Sequence, residues 1–352
     1  MATEFIQGRG AQENVSNIFF KQCYSKDIIE GIDEWEEEKP QTHFTIVHPK
    51  SFVNKVTSPD VGMEYSANPY QGCEHGCIYC YARNSHQYWG YSAGLDFETK
   101  IMVKANSVKL FREFISRKSW TGMPISLSGN TDCYQPLERK FQLTRGILKT
   151  ASQYGQPVSI ITKNSLILRD ADIISELANR NLCVVYISIN SLTEDTRLKL
   201  EPRTVTAKQR LHVIESLSKL GVPVGIMCAP VIPGLTDHEI PKVLQAAANA
   251  GAKWAGYTTV RLNGEIGQIF ENWLHKAYPD RANKIWHSIQ SCHNGKVNDS
   301  EFGNRMKGTG QLAQMIKDSF RMHCKRNNLN VEHFEFDCSQ LVKKTDQQLK
   351  LF

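Results

Sequence analysis

Three cysteines stand close together in the run Asn68-Pro69-Tyr70-Gln71-Gly72-Cys73-Glu74-His75-Gly76-Cys77-Ile78-Tyr79-Cys80-Tyr81. Their spacing is C-x3-C-x2-C, with an aromatic residue just before the last cysteine. Three thiolates on one tight loop can ligate three irons of a four-iron, four-sulfur cubane, a cluster that proteins usually hold with four cysteines. The fourth iron is then open to another ligand, and an open coordination position is what separates a catalytic metal centre from a structural one. The alternative is a structural zinc knot, which needs four closed ligands. Only one triplet is present, with His75 inside the loop and His86 after it. His75 lies between two cysteines and is badly placed to turn toward the same metal as both.

The other cysteines, Cys23, Cys133, Cys183, Cys228, Cys292, Cys324 and Cys338, are scattered. That scatter is not a disulfide framework, and thiolate ligation needs a reducing compartment. Cys183 and Cys228 fall in apolar runs and read as core residues. With no second CxxC, no auxiliary cluster is expected. A chain of 352 residues allows one large or two smaller domains, and 41% hydrophobic residues is ordinary for a globular protein. No stretch has the apolar length that a bilayer requires. The first ten residues are polar and mixed in charge, unlike a secretory signal. A cytoplasmic protein with no membrane partner is therefore expected.

The net charge of +6 leans mildly toward polyanions. It is unevenly spread. Residues 30–39 are acidic, whereas residues 305–326 are basic, with Lys317, Arg321 and Lys325 at i, i+4 and i+8. Such a row reads either as a solvated helix face or as a polyanion contact.

These residues need a scaffold, and the pattern around them supplies one. The first sixty residues are polar and irregular, with a weak strand signal near 45–48. Apolar, β-branched runs then recur at 125–127, 158–161, 184–189, 224–229 and 257–262, with a further strand at 64–68 before the cysteine loop. Helical patterns lie between them. Asp170 can cap a helix with Ile173, Ile174, Leu177 and Ala178 on one face. Thr206 can cap another that stops at Gly221, and Thr236-Asp237-His238-Glu239 reads as a capping box. Alternating strands and helices imply a parallel sheet with helices outside. The fold class is α/β with six βα units. The expected parts are an extension over 1–60, the core over 61–268, a helical cap over 269–342 and a tail over 343–352. In βα barrels the active site lies at the C-terminal strand ends, which is where the loop after the first strand falls.

Polar residues cluster just past the other strands: Ser128-Gly129-Asn130-Thr131-Asp132-Cys133-Tyr134, Thr162-Lys163-Asn164, Ser188-Ile189-Asn190-Ser191 with Glu201-Pro202-Arg203, and Ala229-Pro230. One rim thus collects donors and acceptors, as recognition of a zwitterionic, ribose-bearing cofactor requires.

From about Asn68 to Leu262 the chain resembles the radical S-adenosylmethionine (radical SAM) superfamily, and within it the spore photoproduct lyase and DNA repair photolyase-like branch. The resemblance rests on the cysteine triplet, on Ser188-Ile189-Asn190-Ser191 followed by Glu201-Pro202, and on Ala229-Pro230. It implies a partial (β/α)6 barrel and a 4Fe-4S cluster on Cys73, Cys77 and Cys80. It implies S-adenosyl-L-methionine on the fourth iron, reductive cleavage to a 5′-deoxyadenosyl radical, and lyase-like DNA repair chemistry. An electron donor such as flavodoxin or ferredoxin follows. Carried over, Tyr79 contacts S-adenosylmethionine by its backbone. Thr131 and Lys163 hold its methionine portion, Ser188 its ribose or carboxylate. Asp132 and Asn190 join this cofactor-binding set, with Glu201 and Arg203 as supporting partners.

One departure matters. The lyase carries a hydrogen-donating cysteine just past strand two, where this chain has Gly129 or Asn130. The nearest candidates are Cys133 and Tyr134, as donors or as packing. The stretch Tyr81 to Lys104, with Arg83, His86, Tyr88, Trp89, Tyr91, Asp96 and Glu98, differs from the lyase. It reads as a substrate wall suited to stacking nucleobases or as filling of the barrel mouth. Finally, Gln348-Leu349-Lys350-Leu351-Phe352 resembles the peptide by which repair proteins bind the bacterial sliding clamp, with Lys350 departing from the usual Ser or Asp. Three readings follow: a radical SAM enzyme on nucleic acid, the same chemistry on a small molecule, peptide or RNA, and an Fe–S or zinc module without turnover.

Overall fold

The computed structural model describes residues 5–20 and 41–343. The acidic run 30–39, Cys23 and the clamp-like pentapeptide from Gln348 to Phe352 lie outside the described residues. The strands are β1 His43–Val47, β2 Val53–Lys55, β3 Tyr65–Ala67, β4 Tyr70–Gln71, β5 Lys100–Lys104, β6 Ile125–Leu127, β7 Val158–Thr162, β8 Cys183–Ser188, β9 Val224–Val231 and β10 Trp254–Thr259. Seven of them form one sheet in the order β10-β9-β8-β7-β6-β3-β2. Its six consecutive strands from β3 to β10 run parallel, and β2 is added antiparallel to β3. β10 and β2 do not pair, so the barrel is open along one seam. A second sheet, β1-β5-β4, is built from the segments flanking the cysteine loop.

Alternation along the strands sorts the side chains into two sets, because successive residues face opposite sides. Ile125, Leu127, Val158, Ile160, Cys183, Val185, Ile187, Ile226 and Cys228 join the main core beneath the outer helices. Ser126, Ser159, Ile161, Val184, Tyr186 and Met227 have the opposite parity and line a lumen of about 1010 Å³. The parallel strands need helical crossovers. These are Ser107–Ile115, Leu143–Tyr154, Ala171–Ala178, Ala207–Lys219 and Ile240–Asn249. After β10 come Ile266–Ala277, Ala282–Ser291 and Gly310–Arg326.

The helix faces follow the apolar phase, whereas the caps do so only in part. Ala171–Ala178 buries Ile173, Ile174, Leu177 and Ala178 as expected. Thr206 closes a full capping box with Gln209. Asp170 does not cap with its side chain, because its carboxylate is taken by Arg145 and Arg169. Thr236 likewise makes no cap bond. Its hydroxyl accepts from Ile232 N, while Glu239 accepts from the Ser191 hydroxyl and Leu192 N. The expected strand at 257–262 starts earlier, at Trp254. Val260 and Leu262 are buried by turning toward the helices after β10, where Leu262 N donates to Val297 O.

Candidate active site

The cysteine loop leaves the sheet after β3 and is stitched into a turn by Gly76 N to Cys73 O, Cys80 N to Cys77 O and Arg83 N to Cys80 O. Gly72 and Gly76 have φ of 79° and 66°, in the left-handed region that favours glycine. At Gly76 an added Cβ would also lie 2.7 Å from Glu98 Oε2. Cys73 and Cys77 are buried and Cys80 is partly exposed, all as free thiols. Burial pushes the Cys77 thiol up to about 12, and burial together with Asp132 and the neighbouring cysteines raises Cys73. Thiolates there need a cationic partner, and a metal cluster supplies one. No three His, Cys, Asp or Glu side chains among the described residues converge on one point as a mononuclear zinc knot requires. The donor set fits a cluster bound by three thiolates.

The braces of this loop come from far along the chain. Arg83 and Glu98 form an ion pair at 2.5 Å with both side chains fully buried. Arg83 also donates to the carbonyls of Gly76, Cys77, Ala93 and Gly94. Glu98 accepts from Gly10 N and Ala11 N, which pins the segment 5–20 against the loop. His86 is buried between Tyr91 and Phe97, and burial lowers it to about 4, so its ring is neutral filling. Of the two readings of 81–104, a substrate wall or filling, several of its residues fall to the second. Arg83, Asp96 and Glu98 are inside because they satisfy loop backbone that would otherwise be buried unpaired, and His86 is inside as packing. Only Tyr81, Tyr88 and Trp89 project outward as large apolar groups. With Phe19, whose ring lies 4.6 Å from that of Tyr88, Tyr81 and Tyr88 line a recess of about 390 Å³.

The rim residues fall into two groups. Lys163, Ser188 and Asn190 continue the lumen-facing parity of Ile161 and Tyr186 beyond their strands. The Lys163 ammonium makes no hydrogen bond or ion pair among the described residues. Burial opposes its charge, but Cys77, Glu201 and Asp132 hold it above the ordinary lysine range. Glu201 is fully buried, accepts from the Tyr79 hydroxyl and pairs with Arg210 at 2.6 Å. Burial would raise its carboxyl, yet Arg210 and Lys163 keep it below the carboxylate range. Asn190 Nδ2 reaches the Tyr79 hydroxyl at 3.4 Å. Tyr79 therefore has its side chain committed and its backbone free for a ligand.

The second group supports backbone. Thr131 donates its hydroxyl to Tyr70 O at 2.7 Å. Asp132 accepts from Tyr134 N, Lys163 N and the Thr162 hydroxyl. Its Oδ2 lies 3.3 Å from His75 Nδ1, while Asn164 Nδ2 is 3.2 Å from Nε2. His75 thus faces away from the thiols, as its place in the loop suggested. Arg203 is exposed, touching Glu74 at 3.5 Å and donating from its backbone to His75 O.

Cys133 and Tyr134 are both fully buried. Cys133 belongs to the main core and lines neither the lumen nor the recess. The Tyr134 hydroxyl donates to Asp170 at 3.1 Å, inside the Arg145–Arg169 ion cluster. The sequence reading missed Arg210, which donates to Ser188 O and holds Glu201. A signal existed, since Arg210 shares its helix face with Val213, Ile214 and Leu217 and so had to be a buried cation.

A buried three-thiol loop at the rim of an open six-stranded parallel barrel defines a class of iron–sulfur enzyme. Residues 67–247 match the family model of the radical SAM superfamily, and the chain belongs to that superfamily. Protein Rv2578c of Mycobacterium tuberculosis is 34% identical over 238 residues, 67% of this chain and 70% of that one. A mutant of spore photoproduct lyase has a TM-score of 0.60 at 14% identity, covering 87% of this chain and 88% of its own. The same lyase complexed with dinucleoside spore photoproduct gives 0.58 at 14% identity, covering 80% and 79%. These structures share the fold. The cofactors of the superfamily are a 4Fe-4S cluster and S-adenosylmethionine.

Proposed function

We propose that this radical SAM enzyme acts on nucleic acid, as a lyase-like enzyme of the DNA repair photolyase type in a cytoplasmic, reducing compartment. The bound cluster and S-adenosylmethionine together supply the 5′-deoxyadenosyl radical. The chain's own residues ligate, orient and shield. Cys73, Cys77 and Cys80 hold the cluster. Lys163 receives the methionine carboxylate, because it is an unpaired ammonium beside the loop. Ser188, Asn190 and the Tyr79 backbone face the remainder of the cofactor, and Thr131, Asp132, Glu201 and Arg203 fix the loops that carry them. The observation that carries the nucleic-acid reading is the aromatic recess beside Tyr81 at the cluster end, since stacking on exposed rings is how unpaired bases are held. A flavodoxin- or ferredoxin-like donor and a sliding-clamp contact through the tail complete the reading.

The test is anaerobic reconstitution, then S-adenosylmethionine and dithionite with ultraviolet-irradiated DNA and mass spectrometry of nucleosides. Wild-type protein is expected to yield 5′-deoxyadenosine and altered bases, and Cys77→Ala neither. Formation of 5′-deoxyadenosine with unchanged DNA would overturn the nucleic-acid reading.

A further inference from the structure

The helix Gly310–Arg326 carries Lys317, Arg321 and Lys325 along one exposed edge. None has a carboxylate within ion-pair distance among the described residues. Elsewhere some helical lysines have a carboxylate one turn away, whereas others, such as Lys149, Lys208 and Lys242, have no ion pair among the described residues. Lys109 pairs with Glu113, Lys199 with Asp195 and Lys219 with Glu215, all at i,i+4 spacing. On Gly310–Arg326 the nearby acid, Asp318, is taken by Gln314, which donates to both of its oxygens at 2.9 Å. The row of cations is left without an ion-pair partner among the described residues.

The buried face of the same helix reaches the wall of the lumen. Phe320 of this helix contacts Tyr257 at 4.5 Å between ring centroids. Over that Tyr257 ring, at 3.5 Å, lies the Lys307 ammonium, which donates to Tyr257 O and also has no carboxylate partner among the described residues. Tyr257 and Lys307 both line the lumen. Two buried hydroxyls of that lining, of Ser126 and Tyr257, have no hydrogen-bond partner among the described residues.

We infer that Lys317, Arg321 and Lys325 form a track for the phosphodiester backbone of nucleic acid, with Lys307 as its last contact at the lumen. The inference rests on the nucleic-acid reading above and names where the polymer lies. Four residues of helix advance about 6 Å. That spacing is close to two steps of about 3.4 Å per charge along one duplex strand. A membrane is the poorer occupant. A helix lying on lipid pairs its cations with an apolar face for insertion, and here Ala313, Ile316, Phe320 and Cys324 are buried, with the helix packed on Ile240–Asn249.

The test uses the full-length reconstituted protein and fluorescence anisotropy with labelled single- and double-stranded DNA across a salt series, with anionic phospholipid vesicles alongside. The triple variant Lys317→Gln, Arg321→Gln, Lys325→Gln is compared with Lys109→Gln, Lys149→Gln, Lys219→Gln, which removes the same charge elsewhere. The track variant is expected to bind at least about tenfold more weakly, with a salt slope shallower by about 2–3. The control is expected to bind as wild type. Equal loss in both triples, or none in the track variant, would overturn the track and leave the proposed function standing. Wild-type binding to vesicles but not to DNA would overturn both. Matching thermal melts for the two triples exclude misfolding as the cause.

Discussion

His75, Asp132 and Asn164 show how a single side chain can fix the orientation of a metal-binding loop. Burial alone would raise the Asp132 carboxyl, but His75 and the N–H groups of Lys163 and Tyr134 bring it down to about 2. A depressed carboxyl stabilises the fold at any pH above its unfolded value, and that contribution is lost as pH falls toward the folded value. Measured from the ordinary 3.8, the shift corresponds to about 2 kcal/mol, all of it lost between about pH 4 and pH 2. Urea titrations of the apoprotein over that range are expected to show a steep acid limb in wild type and a flatter one in Asp132→Asn. Parallel limbs would mean that the His75 contact carries no stability. The identity of His75 was plain in the sequence, but its partners were not, because they lie beyond two other strands.

At the scale of elements, the segment 5–20 serves as a clasp on the cluster loop. An added Cβ at Gly10 would stand 1.8 Å from Gly76 O, against backbone that cannot yield. Gly10→Ala is therefore expected to lift the clasp. Hydrogen exchange of the apoprotein should rise at 5–20 and 72–80 by about tenfold or more while β7 and β8 keep their protection. Unchanged exchange would show that the segment packs without bracing. The strands that position the site were legible because their β-branched runs are local and their period is two. The strand at 257–262 was displaced because the alternation runs on past Val260, which still donates to Val231 O of β9, to Leu262, which bonds Val297 O instead. The caps at Asp170 and Thr236 failed for the opposite reason. Their local chemistry was right, but Arg145 with the neighbouring Arg169, and a tight turn, claimed the same atoms. Glu98 with Gly10 lies 88 residues from its partner, and no local pattern records such a pair.

For the whole molecule, the decisive feature is a barrel left open between β10 and β2. Two loops bridge the gap. Asp60, from the loop after β2, meets Arg305 at 2.5 Å and accepts from Gly303 N at 2.8 Å. The strap carrying Arg305 is anchored to β10 by Thr259, which bonds Met306 O and Lys307 O. Arg305→Gln is expected to speed hydrogen exchange at 56–64 and 303–307 severalfold, with β6 to β9 unaffected. A uniform rise across the sheet would instead make the ion pair part of global stability.

The sulfur ligands and Lys163 sit at strand ends, whereas the girth of the chamber is set by these two removable stays. A descendant could accept a bulkier or slimmer guest by rewriting the stays alone, with the electron-handling corner of the molecule left as it was inherited.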